Sequence, residues 1–209
     1  MQIQWKGQFC FFITVTLGKQ EQGKLLIDPY DESTGMKFSA VETDVLLTSL
    51  NTPEHSNPKA VKGEPPFVIS FPGEYEVKGM FIQGIPNGNG GTIYTIEAEG
   101  MKLCHLGGLG ESGLKAEQIE SIGDIDILFV PVGGGDSLDA KAASHVVSQI
   151  EPKMVIPMAY KQPKLKKKLD SVEEFVKTMG LKNGEVLPKL LVKVRDLTGE
   201  ETKITILSS

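Results

Sequence analysis

Residues 44–57 combine an apolar run with side chains that could bind a divalent cation. Glu54 and His55 stand side by side near the end of this segment. Carboxylate oxygens and imidazole nitrogens are common zinc ligands, and a zinc site takes three or four such protein donors at about 2.0–2.3 Å. The chain has only 3 histidines, which are His55, His105 and His145. A centre that depends on several imidazoles would therefore need ligands of unusual types in this sequence.

Several stretches, in a fixed order along the chain, resemble the lactonase-like branch of the metallo-β-lactamase superfamily, which is related to the ascorbate 6-phosphate lactonases. They are residues 3–8, 26–30, 72–76, 105–108, 126–134, 139–140, 151–153 and 156–160. The resemblance runs from residue 1 to about residue 180. It implies an α/β fold of the four-layer αβ/βα sandwich type, with a metal-dependent hydrolytic site at one edge of the sandwich.

The same resemblance places most of the superfamily's metal ligands on residues that have no suitable donor atom. The places of the motif His-x-His-x-Asp-His hold Leu50, Thr52, Glu54 and His55. The Asp of a later His-x-Gly-Asp motif falls on Gly108, and the last His of Ile-Pro-Met-His-Tyr falls on Ala159. We call Leu50, Thr52, Gly108 and Ala159 the former ligand positions. Glu54 and His55 remain as the remnant candidates for metal binding.

Hydrolysis in this superfamily needs the full ligand set, because paired metals lower the pKa of a bridging water and polarise the scissile bond. The sequence therefore predicts a chain that has lost metal-dependent hydrolysis, carries no cofactor, and serves in ligand binding or assembly. The alternative is a zinc- or manganese-dependent hydrolase of a phosphorylated sugar, lactone or nucleotide that uses Glu54, His55 and atypical ligands.

Several residues that could do chemistry also have simpler structural interpretations. His55 could hydrogen-bond within its own loop rather than bind a metal, and this interpretation is favoured. His105 lies in an apolar run and is expected to hydrogen-bond in the core. Asp28 and Asp139 stand at a strand end and a helix start, where a carboxylate accepts backbone N–H groups. His145 falls off the apolar stripe of its predicted helix, so we expect it to be solvated.

A cleft beside the former ligand positions is expected from the same resemblance. Its predicted lining is Asp28, His105, Gly107, Gly133 and Gly134. Glycine turns expose N–H groups that can hold an anion, but the spacing of a phosphate-binding loop is missing here. If the chain still binds a small ligand, we expect it at these turns.

The elements that must position these residues follow from hydrophobic periodicity. The first half is predicted to be rich in short strands, with residues 75–83 forming a single one. Helical spacing then predicts helices over residues 114–122, 139–150 and 164–179, and buried strands over 125–130 and 154–158. The last segment, residues 190–206, is predicted to form a terminal hairpin.

Composition limits the classes of function. With 209 residues, of which 40% are hydrophobic, the chain can form one domain over residues 1–209. A net charge of −5 argues against a nucleic-acid partner, and the lysines of residues 161–168 are interpreted as a solvated helix face. No apolar run is long enough to cross a membrane, which predicts a cytoplasmic protein without a membrane partner. A homo-oligomer is a further expectation.

Overall fold

The structure is a computed structural model that describes residues 1–18, 21–110, 113–182, 184–199 and 201–209. The strands of the first half are β1 (Gln2–Gly7), β2 (Cys10–Leu17), β3 (Glu21–Ile27), β4 (Val45–Leu47), β5 (Phe67–Ile69), β6 (Gly73–Val77), β7 (Met80–Pro86), β8 (Thr92–Ala98) and β9 (Met101–His105). The second half contributes α1 (Ala116–Ile122), β10 (Ile127–Pro131), α2 (Ala140–Ile150), β11 (Met154–Met158), α3 (Val172–Thr178), β12 (Glu185–Leu187), β13 (Leu190–Leu191) and β14 (Lys203–Leu207).

Two mixed sheets are stacked face to face. One has the order β13-β1-β2-β3-β4-β5 and the other the order β12-β14-β11-β10-β9-β8-β7-β6. Side chains from both sheets meet in the core, where the ring centroids of Phe11 and Phe129 lie 4.3 Å apart. The Tyr94 hydroxyl crosses between the sheets and donates to the Thr48 carbonyl at 3.0 Å. The expected α/β sandwich is confirmed.

The outer layers of the sandwich differ from each other. Helix α2 packs on β10 and buries its stripe of Ala143, Val146, Val147 and Ile150, as its helical spacing predicts. The outer face of the six-stranded sheet is covered instead by irregular chain, with Tyr30 and Ala60 packed on Cys10 and Leu26. None of the helices in the described part of the chain is long and apolar enough to span a membrane.

The prediction of one strand over residues 75–83 is wrong. Lys78 and Gly79 both have positive φ, at 48° and 63°, and they reverse the chain between β6 and β7. These two strands then pair in antiparallel fashion, with Val77 opposite Met80. A two-residue turn with both φ values positive matches the twist of a hairpin, and glycine at its second place makes it accessible.

The predicted helix over residues 164–179 is also wrong in its first half, because helix α3 begins only at Val172. The chain before it makes backbone hydrogen bonds to distant residues, with Lys166 N–H donating to the Thr34 carbonyl and Asp170 N–H donating to the Gly133 carbonyl, each at 2.9 Å. These hydrogen bonds take the place of the bonds that an α-helix makes between residues four positions apart. The lysine-rich run therefore does not form a helix face.

The predicted terminal hairpin over residues 190–206 is wrong as well. Strand β13 pairs with β1 in the six-stranded sheet, where Leu191 lies opposite Gln2. Strand β14 instead runs parallel to β11 and β12 in the eight-stranded sheet. The alternation of apolar residues marks each segment as a strand but carries no information on its partner.

Candidate functional site

Asp28 is the centre of a buried polar cluster at one end of the parallel strands β3 and β4. Because Ile27 pairs with Leu47, the residues that follow these strands emerge together at the same edge of the sheet. Asp28 accepts the backbone N–H of Ser49 on Oδ1 at 2.6 Å and the Ser49 hydroxyl on Oδ2 at 2.5 Å. The carboxylate is completely buried, so these donors take the place of water.

His55 completes this cluster. Its Nδ1 lies 2.8 Å from Oδ2 of Asp28 and 3.1 Å from the Ser49 hydroxyl, and the residue is only 4% exposed. Because a carboxylate accepts a proton, this contact places an N–H on Nδ1, and in the neutral ring the lone pair is then on Nε2. Nε2 has no hydrogen-bond partner among the residues that the structure describes. The ring of Phe9 stacks beside the imidazole, with centroids 4.0 Å apart.

Two of the former ligand positions meet at the free nitrogen of His55. A Cβ atom added to Gly108 would lie 3.1 Å from His55 Nε2 and 3.8 Å from Cδ2 of Leu50. The fold thus brings these three motif positions close together. Neither Leu50 nor Gly108 has a side-chain atom that can donate an electron pair, so no second ligand accompanies His55 from these two places.

Glu54 and Ala159 do not supply the missing donors. Glu54 lies 4.0 Å from the ammonium group of Lys167 and is partly exposed. Ala159 is buried in the left-handed region with φ at 51°, and its N–H donates to the Gln8 carbonyl at 3.1 Å. The Gln8 side chain itself donates to Gln162 at 3.0 Å. These groups are paired with other protein atoms instead of converging on His55.

A metal centre does not fit these residues. No group of three or more His, Cys, Asp or Glu side chains is placed to hold a metal ion within the described ranges of the chain. The chemistry of the ligand set agrees with this geometry, because leucine, glycine and alanine cannot coordinate zinc through their side chains. No step of a reaction is therefore assigned to a metal at this edge of the sandwich.

His105 is a buried hydrogen-bonding residue, as the sequence predicts. Its Nε2–H donates to the Phe9 carbonyl at 2.9 Å, and its Nδ1 accepts the N–H of Gly107 at 3.1 Å. Burial lowers the pKa of His105, although the nearby charge of Asp28 and the bond to Phe9 oppose this shift. The neutral ring thus fixes the path of the chain from β9 into Gly107.

The predicted cleft residues fall into two separate groups. Asp28, His105 and Gly107 belong to the buried cluster, where a Cβ on Gly107 would lie 2.6 Å from the Ser49 hydroxyl. Gly133 and Gly134 contact other residues. A Cβ on Gly133 would strike the Ala159 carbonyl, and one on Gly134 would lie 3.6 Å from Asp170.

Ser49 and Phe9 are the members of the cluster that sequence reasoning missed. Ser49 comes two residues after β4, in the position where polar residues follow a parallel strand, and that placement was an available signal. Phe9 offered no such signal in the sequence, because an aromatic residue in an apolar run ordinarily belongs to the core.

Other predicted residues have structural roles. The Asp139 carboxylate accepts the N–H of Ala142 at 2.7 Å and caps α2, and His145 is exposed on that helix. Cys10 and Cys104 are both free and buried, and burial raises the pKa of each thiol well above its ordinary value. Neither thiol is therefore a reactive nucleophile.

The fold and the order of motifs define the class of protein. The family described as "Beta-lactamase superfamily domain" matches residues 2–159. The chain belongs to this family, and thus to the metallo-β-lactamase superfamily.

Two of three similar proteins carry hydrolase names. A solved structure from Thermotoga maritima, whose name proposes a Zn-dependent hydrolase of this superfamily, is 32% identical with a TM-score of 0.81, and the similarity covers 100% of both chains. A UPF0173 metal-dependent hydrolase of Alkaliphilus metalliredigens is 32% identical over 48% of this chain and 43% of its own length. A UPF0173 protein of Pyrococcus furiosus is 25% identical over 77% of this chain and 83% of its own. The chain thus spans less than half of the Alkaliphilus relative that it matches.

Proposed function

We propose that this chain is a metallo-β-lactamase-fold protein that has lost metal-dependent hydrolysis and is retained for binding a ligand or for assembly. The residues around His55 Nε2 support this proposal most directly. The two former ligand positions beside it hold Leu50 and Gly108, which have no donor atoms. A single imidazole nitrogen does not hold a divalent cation against water, since catalytic zinc sites use three protein ligands.

The hydrogen bonds of Asp28 support the proposal because they are made without a metal. Asp28 receives its hydrogen bonds from Ser49 and His55, so its charge is compensated by protein groups alone. An imidazole and carboxylate set left without its metal would instead bury polar atoms without partners, at about 1–3 kcal/mol each. Leu50 and Gly108 avoid that loss.

A second candidate function is metal-dependent hydrolysis at an atypical site, and one observation favours it. Metal-binding histidines usually donate their other ring N–H to a carboxylate. Asp28 and His55 keep this arrangement, with Nε2 left free. The relatives named as metal-dependent hydrolases are consistent with this candidate, in which zinc or manganese would have to find further ligands.

The lactonase-like branch is proposed as the nearest part of the superfamily, on the order of the motifs quoted above. We also propose that the protein works in the cytoplasm, as a homo-oligomer, and without nucleic-acid or membrane partners.

Metal analysis of the protein, purified without chelator, tests the main proposal. We expect zinc, manganese and iron to be present at well below one ion per chain. We also expect no hydrolysis of lactone, phosphodiester or phosphomonoester substrates after incubation with these metals. Stoichiometric metal that disappears in the His55→Ala variant, together with hydrolysis that disappears in the same variant, would establish the second candidate instead.

A further inference from the structure

A cavity of about 710 Å³ opens beside the buried cluster and is not part of the predicted cleft. Ser49 and Leu50 form one wall, the loop around Ser70 and Phe71 another, and the turn at residues 88–91 a third. Small-molecule sites usually enclose about 300–1,000 Å³. Because Leu50 is a former ligand position, the cavity borders the place where relatives of this fold would hold metal, but its wall there is apolar.

The lining of this cavity carries no charge. Its described residues are of the types Ser, Thr, Asn, Leu, Phe, Pro and Gly, with no Asp, Glu, His, Lys or Arg among them. Phosphate and carboxylate groups are normally held by Arg, Lys or a helix N-terminus. An anionic group placed here would lose hydration without gaining an ionic partner, which is strongly unfavourable. We therefore expect the cavity to bind uncharged ligands more tightly than phosphorylated ones.

Polar groups in the cavity are nevertheless available to a ligand. The side chains of Asn51, Ser56 and Ser70 make no hydrogen bond to any residue that the structure describes. One amide and two hydroxyls supply both donors and acceptors. Such a mixture suits ligand hydroxyl groups, which also both donate and accept.

A buried amide stands behind the third wall. The Asn87 Oδ1 accepts the N–H groups of Asn89 and Gly91 at 2.8 and 2.9 Å, which fixes the orientation of the amide. Its Nδ2 is left without a partner, although the residue is only 6% exposed. A Cβ on Gly91 would lie 2.6 Å from this nitrogen. The donor thus occupies the place that a side chain on Gly91, which lines the cavity, would take.

Phe71 gives the cavity an apolar surface at its rim. The residue is 75% exposed, the largest exposed fraction among the large hydrophobic side chains that the structure describes. Exposing an aromatic ring to water is unfavourable, and a ligand that covers the ring removes this cost. Together with Leu50, it can contact the C–H groups of a ligand whose hydroxyls reach the polar side chains.

We propose that this cavity binds an uncharged, polyhydroxylated small molecule, of the class of unphosphorylated sugars. The proposal rests on the proposed function only in that the ligand is bound without a metal. The proposed ligand differs from the phosphorylated substrates of the second candidate function, because the cavity lacks a cation to hold a phosphate.

NMR titration of the chelator-treated, ¹⁵N-labelled full chain tests the proposal with matched probes. Glucose and galactose are compared with their 6-phosphates. We expect the neutral sugars to shift the amide signals of residues 48–51 and 87–92 and to bind at least about tenfold more tightly than their phosphates. Phe71→Ala should weaken this binding by about fivefold. Phe67→Ala should not, because Phe67 is also exposed, at 52%, but does not line the cavity.

Equal or tighter binding of the phosphates would overturn the proposal, and so would the absence of shifts with both neutral sugars. Shifts confined to residues outside the cavity would overturn it too. Neutral-sugar binding that required added zinc would contradict the proposed function while preserving the ligand class, so the two failures are distinguishable.

Discussion

The Nδ1 atom of His55 lies 2.8 Å from Oδ2 of Asp28, and both side chains are buried at the edge of the sandwich. In metal sites such a pair orients the histidine toward the ion. Here the same pair joins the end of β3 to the loop after β4 through Ser49, and the other side of the ring faces Leu50 and Gly108. The arrangement has a structural role that does not depend on a ligand.

Replacing the central carboxylate should destabilise the fold. Asp28→Asn removes the charge that accepts the Ser49 and His55 hydrogen bonds. We expect the free energy of unfolding to fall by about 2–4 kcal/mol, because a buried charged acceptor is lost and its donors are left poorly paired. Urea denaturation measures this. Asp139→Asn is the matched control and should change little, since Asn caps a helix as well as Asp.

The glycine that contacts Ser49 should tolerate no side chain. In Gly107→Ala the new Cβ would lie 2.6 Å from the Ser49 hydroxyl, in a residue with φ at 54°. Overpacking and the backbone penalty together should lower stability by about 2–4 kcal/mol. Gly88→Ala isolates the backbone penalty, because Gly88 also has positive φ but nothing within 4 Å. Equal losses of stability in the two variants would show that Ser49 moves aside at no free-energy cost, and would contradict the overpacking.

Stability should fall on acidification because of His105. Burial lowers its pKa in the folded chain below the ordinary value of 6.5, and it faces Asp28 and His55. Below that value the unfolded chain binds a proton that the folded chain still excludes, so unfolding is favoured until the lowered pKa is reached. Urea denaturation at several pH values from 7 downward should show this slope. His105→Gln cannot titrate, so its slope should be shallower; an unchanged slope would exclude His105 as the cause.

Restoring the superfamily donors should restore metal binding. The combined variant Leu50→His, Thr52→His, Gly108→Asp and Ala159→His returns donors to all four former ligand positions. Histidine is among the residues that tolerate the positive φ of position 159. We expect zinc to bind at one or two ions per chain by calorimetry and elemental analysis. The same variant with His55→Ala is the control and should bind less tightly, whereas failure of both to bind would place the former site elsewhere.

The sequence predicted the strands well where a segment is short, apolar and bounded by glycine or proline. Strand β11 has the predicted limits, and α2 has the predicted apolar face and cap. Prediction from the sequence failed where a local pattern competes with contacts to distant residues. Residues 164–171 have helical composition, yet Lys166 and Asp170 donate their N–H groups to other parts of the fold. Their partners, Thr34 and Gly133, lie 132 and 37 positions earlier in the chain, outside any local window.

The candidate site divides in the same way. Sequence alone determined which donor atoms exist, because three histidines and the residue types at positions 50, 108 and 159 set an upper limit on any ligand set. Only the tertiary structure decided which of them meet: parallel pairing of β3 and β4 brings Asp28 to Ser49 and His55, and leaves a cavity without charge beside Leu50. The physical reason is that side-chain chemistry is fixed residue by residue, whereas proximity arises from strand pairing across long stretches of chain.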